Sequence, residues 1–133
     1  MTSNNQNYET ARTVQHTNDA GLGVLSEYNN QHQLLKTTTF LQLTNTLRQY
    51  TTYTYDSQTQ KCKQTTTYRS DRTVDYTTDY NPNTGQMTKI TYYRPNGSVY
   101  ESIVFHYETP HSTRWFDTTH YHENGTEGSI LNF

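Results

Sequence analysis

Most of the chain consists of short strand-forming stretches separated by clusters of turn-forming residues. The clearest example is DYNPNTGQMTKITYYRPNG, from Asp79 to Gly97, where a run of Thr, Ile and Tyr lies between NPNTG and RPNG. Thr, Ile and Tyr favour strands, and the pair Asn96-Gly97 tolerates the positive φ angles of a tight hairpin turn. The pattern therefore predicts a strand that leads into a β-hairpin.

This pattern recurs along the chain at a nearly constant spacing. At an offset of 25 residues Cys62 matches Met87 and Tyr68 matches Tyr93 without a gap, and at an offset of 28 residues Met87 matches Trp115. A fixed period of this length is typical of tandem structural repeats. Units of one hairpin each begin near Tyr28, Tyr55, Tyr80 and Tyr107.

The links between these predicted hairpins are short, and consecutive hairpins with short links can form only an antiparallel meander. We therefore predict an all-β fold in which about four tandem hairpins form a twisted, largely single-layer sheet. The first residues are polar and lack periodicity, which predicts a loose N-terminal arm. The expected division is an arm over residues 1–24 and one hairpin domain over residues 25–133, with units near 28–54, 55–79, 80–106 and 107–133.

Alternation along the predicted strands assigns the side chains to two faces, because residues two apart point the same way. We expect one face to be aromatic and weakly apolar and the other to be mostly polar. The columns expected on the aromatic face are Cys62, Thr66 and Tyr68; Met87, Thr91 and Tyr93; Trp115, Thr119 and Tyr121; and, from the second strands, Val74, Tyr76, Thr78, Val99, Glu101 and Ile103. Thr65, Thr67, Ile90 and Tyr92 are expected on the polar face.

Composition agrees with a thin sheet. Only 29% of the residues are apolar, so we expect no thick hydrophobic core, and only 17% are charged, so the low hydrophobicity is not the charge-rich kind that predicts disorder. Uncharged strand formers take the place of the missing apolar and charged residues: the chain has 27 Thr and 13 Tyr.

Charge argues against nucleic acid as a partner, because phosphate binding needs clustered Lys and Arg. The net charge is −2, and the basic residues Lys61, Lys63, Arg69 and Arg72 are interspersed with aspartates. With one cysteine, Cys62, no intrachain disulfide is possible. No signal peptide and no run of 18 apolar residues is visible, so we expect a soluble chain with no membrane partner. A cytoplasmic location is favoured, and the open alternative is a secreted protein from which the signal peptide has been removed.

A family resemblance rests on the third unit, where Asp79-Tyr80-Asn81-Pro82-Asn83-Thr84-Gly85 is followed by Lys89, Thr91, Tyr92 and Tyr93 and then by Pro95-Asn96-Gly97. These residues resemble a bacterial repeat family of unknown function, known chiefly from phytoplasmas and lactobacilli, with a Tyr-Asp-Pro-Asn-Thr-Gly-Lys turn. That family is similar to variant MORN-type hairpin repeats of antitoxin-like proteins. The resemblance implies a β-hairpin repeat, supplies no catalytic residue, and suggests a toxin as one class of partner.

Few residues suggest chemistry. The loop at Gly85 is followed by a strand and not by a helix, so it lacks the helix N-terminus of a phosphate-binding loop. His106, His120 and His122 are weak candidates for a metal site, because two of them share a strand face and the third comes from a neighbouring strand. We expect no cofactor and no catalytic residue, since no nucleophile, base and orienting group stand together.

The leading functional hypothesis is a non-enzymatic protein-binding module, because tyrosine and tryptophan are common anchors of protein interfaces. The residues predicted to form its binding face are Tyr68, Tyr93, Trp115 and Tyr121. One alternative is a structural protein that self-associates into an oligomer or filament through its sheet edges. Another is a small β-barrel that binds a ligand, which requires the two ends of the sheet to close.

Overall fold

A computed structural model of the chain describes residues 9–123 and 125–132, with side chains described for residues 9–123 and 125–126. These residues form ten antiparallel strands in one sheet. The strands are β1 (Arg12–Thr17), β2 (Gly23–Tyr28), β3 (Leu34–Leu41), β4 (Thr46–Tyr55), β5 (Cys62–Arg69), β6 (Val74–Tyr80), β7 (Met87–Tyr93), β8 (Val99–His106), β9 (Asp117–His122) and β10 (Glu127–Asn132).

The spatial order of the strands is their order in the sequence, from β1 to β10. The predicted all-β antiparallel meander is therefore confirmed. β1 and β10 form the two edges of an open sheet, so the alternative of a closed barrel is wrong for the part of the chain that the structure describes. No helix among the described residues is long and apolar enough to cross a bilayer.

The N-terminal region differs from the expectation of a loose arm over residues 1–24. Arg12–Thr17 forms β1 and pairs with β2 through six consecutive residues, from Arg12 opposite Tyr28 to Thr17 opposite Gly23. All six side chains of β1 are exposed, so this strand is held mainly by backbone pairing and carries no apolar pattern for a sequence reading to detect. Residues 1–8 of the predicted arm lie outside the described residues.

The hairpin tips are closed by short polar side chains that accept backbone hydrogen bonds. Asp71 and Asn96 each accept the backbone N–H of the residue two positions on, at 2.9 Å. The residue between has a left-handed backbone, with φ of 74° at Arg72 and 91° at Gly97. Only glycine adopts this conformation without steric strain, so Arg72 is strained at a position where the next hairpin has a glycine.

We expect Arg72→Gly to raise the free energy of unfolding by about 0.5–1 kcal/mol, because the left-handed strain is removed, and Gly97→Ala to lower it by about 1 kcal/mol. Denaturant unfolding of the two variants beside the parent chain measures both changes. The cation–π contact of Arg72 with Tyr50 is long, at 6.0 Å, so its loss in Arg72→Gly subtracts little from the expected gain in the free energy of unfolding. Changes of the same sign in both variants would contradict this account.

No apolar side chain among the described residues is fully buried. The most enclosed side chains are small and polar, and most lie in the middle of strands, where neighbouring strands cover them. A single-layer sheet has no second layer to pack against, so β-branched threonines covered by their neighbours take the place of a core. The buried polar residues are Ser26, Asn29, Thr67, Thr78, Thr91, Ser102, Thr118 and Thr119.

Threonine hydroxyls in this layer are not all satisfied in the same way. Thr67 pairs its hydroxyl with that of Thr51 at 2.8 Å, as cross-strand threonine pairs commonly do. The hydroxyl of Thr118, which is only 2% exposed, has no hydrogen-bond partner among the described residues. Such an orphaned hydroxyl opposes folding, so β9 contributes less to stability than its burial suggests.

Candidate functional site

The open sheet exposes two surfaces, which we name after adjacent residues of β7. Thr91 lies opposite Thr77 and Ser102 and marks the Thr91 face. Tyr92 lies opposite Tyr76 and Glu101 and marks the Tyr92 face. Cross-strand partners share a face and successive residues alternate, so these pairings assign the paired strand residues to one face or the other.

The expectation of one aromatic and one polar face is wrong. Tyr76 was expected beside Thr66 and Thr91, but it pairs with Thr67 and with Tyr92, whose ring centroid lies 5.7 Å away on the Tyr92 face. The register shifts between Thr67 and Tyr68, where one extra residue enters the partner strand. A one-residue shift exchanges the two faces, so both faces of the sheet carry tyrosine.

Three of the four predicted binding residues share a face. Tyr68 and Tyr93 each lie two residues beyond a residue of the Thr91 row, and Tyr121 is opposite Ser102 in that row. All three are half-buried on the Thr91 face. Trp115 does not join them: its ring packs edge-on against Phe105 at 4.9 Å, and Phe105 lies on the Tyr92 face.

Sequence reasoning missed Tyr50, which completes the aromatic cluster on the Thr91 face. Its ring stacks on that of Tyr68 with centroids 4.4 Å apart and planes 13° apart, and Lys36 Nζ lies 4.7 Å from the centre of the Tyr50 ring. Tyr50 is the direct cross-strand partner of Tyr68. The weak similarity of the first repeat unit to the others concealed this register.

Arg69, at the end of β5, joins two hairpins. Its guanidinium donates to the carbonyl oxygen of Val74 at 2.7 Å and to that of Tyr93, and it forms an ion pair with Asp75 at 3.3 Å. Tyr68 and Tyr93 lie in consecutive hairpins, so this side chain helps to fix the spacing of the two tyrosines. Arg69 is thus a positioning residue of the aromatic surface.

The three histidines considered as metal ligands do not come together. His106 Nε2 lies 2.7 Å from Thr119 Oγ1 on the Thr91 face, whereas His120 Nδ1 lies 3.3 Å from Glu101 Oε2 on the Tyr92 face. His122 is opposite Glu101 and shares the face of His120. Within the described residues, no group of three His, Cys, Asp or Glu side chains could hold a metal ion.

Cys62 is half-buried, and burial raises the pKa of its thiol. Its sulfur lies 3.6 Å from the carbonyl oxygen of Gln64. A nucleophilic cysteine requires a lowered pKa, so the surroundings of Cys62 act in the direction opposite to activation.

One concave feature lies at the end of the sheet near the β6–β7 turn and the β8–β9 loop. We call it the loop cleft; its volume is about 660 Å³. The cleft was not anticipated: Met87 and Trp115 occupy equivalent positions of consecutive units, but the repeat does not show that the segments before them contact each other. The loop cleft is lined by Lys61, Tyr80, Asn83, Thr84, Gly85, Gln86, Met87, Tyr107, Pro110, His111, Ser112, Thr113 and Trp115.

Comparison with known proteins gives a partial family match. A model of the family described as "Protein of unknown function (DUF2963)" matches residues 70–114, which include β6 to β8 and part of the loop cleft. No curated protein matches the chain.

The chain is also similar to parts of larger solved structures. A crystal structure of TarM and one of S. aureus TarM in complex with fondaparinux, alpha-GlcNAc-glycerol and UDP each give a TM-score of 0.47 at 12% identity over 98% of this chain. A crystal structure of the GtfA/B complex bound to UDP and GlcNAc gives a TM-score of 0.42 at 13% identity over 96% of this chain. The chain spans about a quarter of the length of these structures, with shares of 25%, 26% and 25% respectively.

Proposed function

We propose that this chain is a non-enzymatic module that binds a protein partner through the Thr91 face. The observation that carries the proposal is the half-buried state of its tyrosines on an open, single-layer sheet in which no described apolar side chain is fully buried. Burial of aromatic side chains dominates interface energetics. A second surface laid on this sheet would complete the burial that the sheet alone cannot provide.

The tyrosines of the Thr91 face are held in place before a partner arrives. Tyr68 is stacked on Tyr50, and Arg69 binds the carbonyl group of Tyr93. Tyrosine has few rotatable bonds, and residues that are already ordered lose little conformational entropy on binding. Tyr100 of β8 is 56% exposed, and its ring centroid lies 5.3 Å from the Arg94 guanidinium carbon.

Two adjacent tyrosines of β7 test the proposal, because they point to opposite faces of one strand. The variants are Tyr93→Thr on the Thr91 face and Tyr92→Thr on the Tyr92 face, and threonine keeps strand propensity. Each is used as bait in an extract of the organism that encodes the chain. We expect a protein that the parent chain captures to be retained by Tyr92→Thr and lost, by at least about tenfold, with Tyr93→Thr.

Equal capture by the parent and by both variants would exclude the Thr91 face as the binding surface. Circular dichroism and thermal unfolding of the two variants provide the control for folding. If Tyr93→Thr and Tyr92→Thr are equally stable, a loss of capture that is confined to Tyr93→Thr is due to the missing Tyr93 side chain and not to unfolding.

A second candidate function is self-association through the β1 edge. All six side chains of β1 are exposed, its pairing with β2 has no register shift, and it contains no proline. Bulges, prolines and charged side chains, above all lysine, are the common devices that block strand addition at an edge. Of these β1 has only Arg12, at its first position, where the guanidinium lies over the Tyr28 ring. The outer backbone groups of β1 could therefore pair with the β1 strand of a second copy.

This candidate predicts a concentration-dependent size that a single edge lysine abolishes. Val14, 38% exposed on β1, is replaced by lysine, and Leu43, 101% exposed in the turn after β3, is replaced by lysine as the matched control. Sedimentation across concentrations should show dimers for the parent and for Leu43→Lys, and monomers for Val14→Lys. A parent chain that stays monomeric at every concentration contradicts the candidate.

A further inference from the structure

The loop cleft is a built feature and not a gap between independent loops. Gln86 donates both hydrogens of its side-chain amide across the cleft, to the carbonyl oxygens of Thr109 and Ser112 at 2.8 Å each. The Tyr107 hydroxyl donates to the carbonyl oxygen of Met87 at 2.6 Å. These bonds tie the β8–β9 loop to the β6–β7 turn, so the cleft is formed before any ligand binds.

The lining of the cleft combines an aromatic lower part with a cationic rim. Trp115, Tyr107, Tyr80 and Met87 are half-buried and supply the apolar and aromatic surface. The exposed Lys61 stands at the rim, and neither aspartate nor glutamate is among the lining residues. A volume of about 660 Å³ is within the range of sites that bind small molecules.

Several features of the lining select among ligand classes. The cation Lys61 and the lack of a lining carboxylate disfavour a cationic ligand, although aromatic rings alone would attract one. The Gln86 amide hydrogens and the Tyr107 hydroxyl hydrogen are used within the scaffold, so they do not bind the hydroxyl groups of a neutral sugar. An aromatic ring that carries a negative charge fits the lower part and the rim together.

We propose that the loop cleft binds a flat aromatic group that carries a carboxylate. The ring packs against Trp115 and Tyr107, and the carboxylate faces Lys61. Trp115 packs on Phe105 of the Tyr92 face, so this site is separate from the tyrosines of the Thr91 face. It adds a small-molecule or terminal-residue site to the proposed protein-binding surface and does not depend on it.

Trp115 is the only tryptophan of the chain, so its fluorescence reports on the cleft directly. The probe is phenylacetate, with excitation at the red edge of the indole band, where the phenyl ring does not absorb. We expect a saturable change with a Kd of roughly 1–10 mM, as a ligand of about ten heavy atoms in an open site allows. Phenylacetamide should bind several-fold more weakly, and phenethylamine more weakly still.

Two lysine variants test the role of the rim charge. Lys61→Gln should weaken phenylacetate binding by roughly two- to fivefold, the effect of one exposed charge pair, and leave the affinity for phenylacetamide unchanged. The matched control is Lys89→Gln: Lys89 is exposed on β7 outside the cleft, and its replacement should change neither affinity. Added salt should weaken phenylacetate binding to the parent and leave phenylacetamide binding unaffected.

Equal responses to phenylacetate, phenylacetamide and phenethylamine, or equal phenylacetate affinity of Lys61→Gln and Lys89→Gln, would overturn the proposal. A tighter response to phenethylamine would also overturn it. A peptide arm then separates two sources of the same chemistry. If acetyl-Gly-Gly-Phe with a free terminal carboxylate binds more tightly than phenylacetate, and the C-terminal amide of this peptide does not, the ligand is a protein terminus. If phenylacetate binds more tightly than the peptide with the free carboxylate, the ligand is a free aromatic acid.

Discussion

Replacing Gly23 with alanine should lower the free energy of unfolding by about 2 kcal/mol, and the melting temperature by roughly 5–10 °C. Gly23 begins β2 and lies opposite Phe40 of β3. A Cβ atom at this position would stand 2.4 Å from two carbon atoms of the Phe40 ring, well inside van der Waals contact. The ring covers the glycine across the strands, so it has to move away from its packed position to admit a methyl group.

A double-mutant cycle with Phe40→Ala shows whether the clash is the cause. Phe40→Ala should be destabilising by itself, but adding Gly23→Ala to it should have almost no further effect, because the ring that meets the methyl group is gone. Denaturant unfolding of the four chains gives the coupling free energy. Additive effects of the two substitutions would mean that alanine at position 23 acts on the backbone and not through Phe40.

The second large effect is a loss of stability at alkaline pH. Burial is the largest cause that raises the pKa of Tyr55, Tyr80, Tyr92 and Tyr107 above the ordinary value of 10.0. The stability that these protonated phenols provide is fully present below pH 10. Above it, the unfolded chain releases protons that the folded chain retains, so the free energy of unfolding falls until the pH passes the folded pKa values.

Two of these phenols also need their protons as hydrogen-bond donors. Tyr55 donates to the carbonyl oxygen of Leu34 at 2.7 Å and Tyr107 to that of Met87 at 2.6 Å. Urea unfolding between pH 8 and pH 11 should show a flat region followed by a decline. Tyr107→Phe should make the decline shallower, since one titrating phenol is removed, and a free energy of unfolding that stays constant up to pH 11 would contradict the prediction.

The meander could be predicted from the sequence because its information is local. Strand-forming runs, the Asn96-Gly97 turn and the spacing of the units each depend on a few adjacent residues, and short links leave only one topology. β1 was missed for the corresponding reason: an exposed edge strand held by backbone pairing requires no particular side-chain pattern.

The assignment of side chains to the two faces failed because it depends on the number of residues between the paired positions of neighbouring strands. Alternation within β5 and within β6 was assigned correctly. The extra residue of β6 opposite Thr67 and Tyr68 shifts the register of the two strands by one, so side chains of β5 and β6 that were expected on one face lie on opposite faces. The same limit applies to the candidate sites. Tyr68, Tyr93 and Tyr121 could be grouped because they occupy equivalent strand positions, whereas the loop cleft joins Gln86 to Ser112 through contacts that no periodicity predicts.

The consecutive order of the strands also bears on how the chain folds and how its length can vary. Each strand pairs only with its neighbours in sequence, so no step of folding has to bring distant segments together, and growth can proceed hairpin by hairpin. Amide hydrogens should then exchange faster toward β1 and slower in the central strands. Removing or inserting one whole hairpin should leave the register of the remaining strands intact. Sheets of this kind can therefore differ in strand number while keeping the same topology.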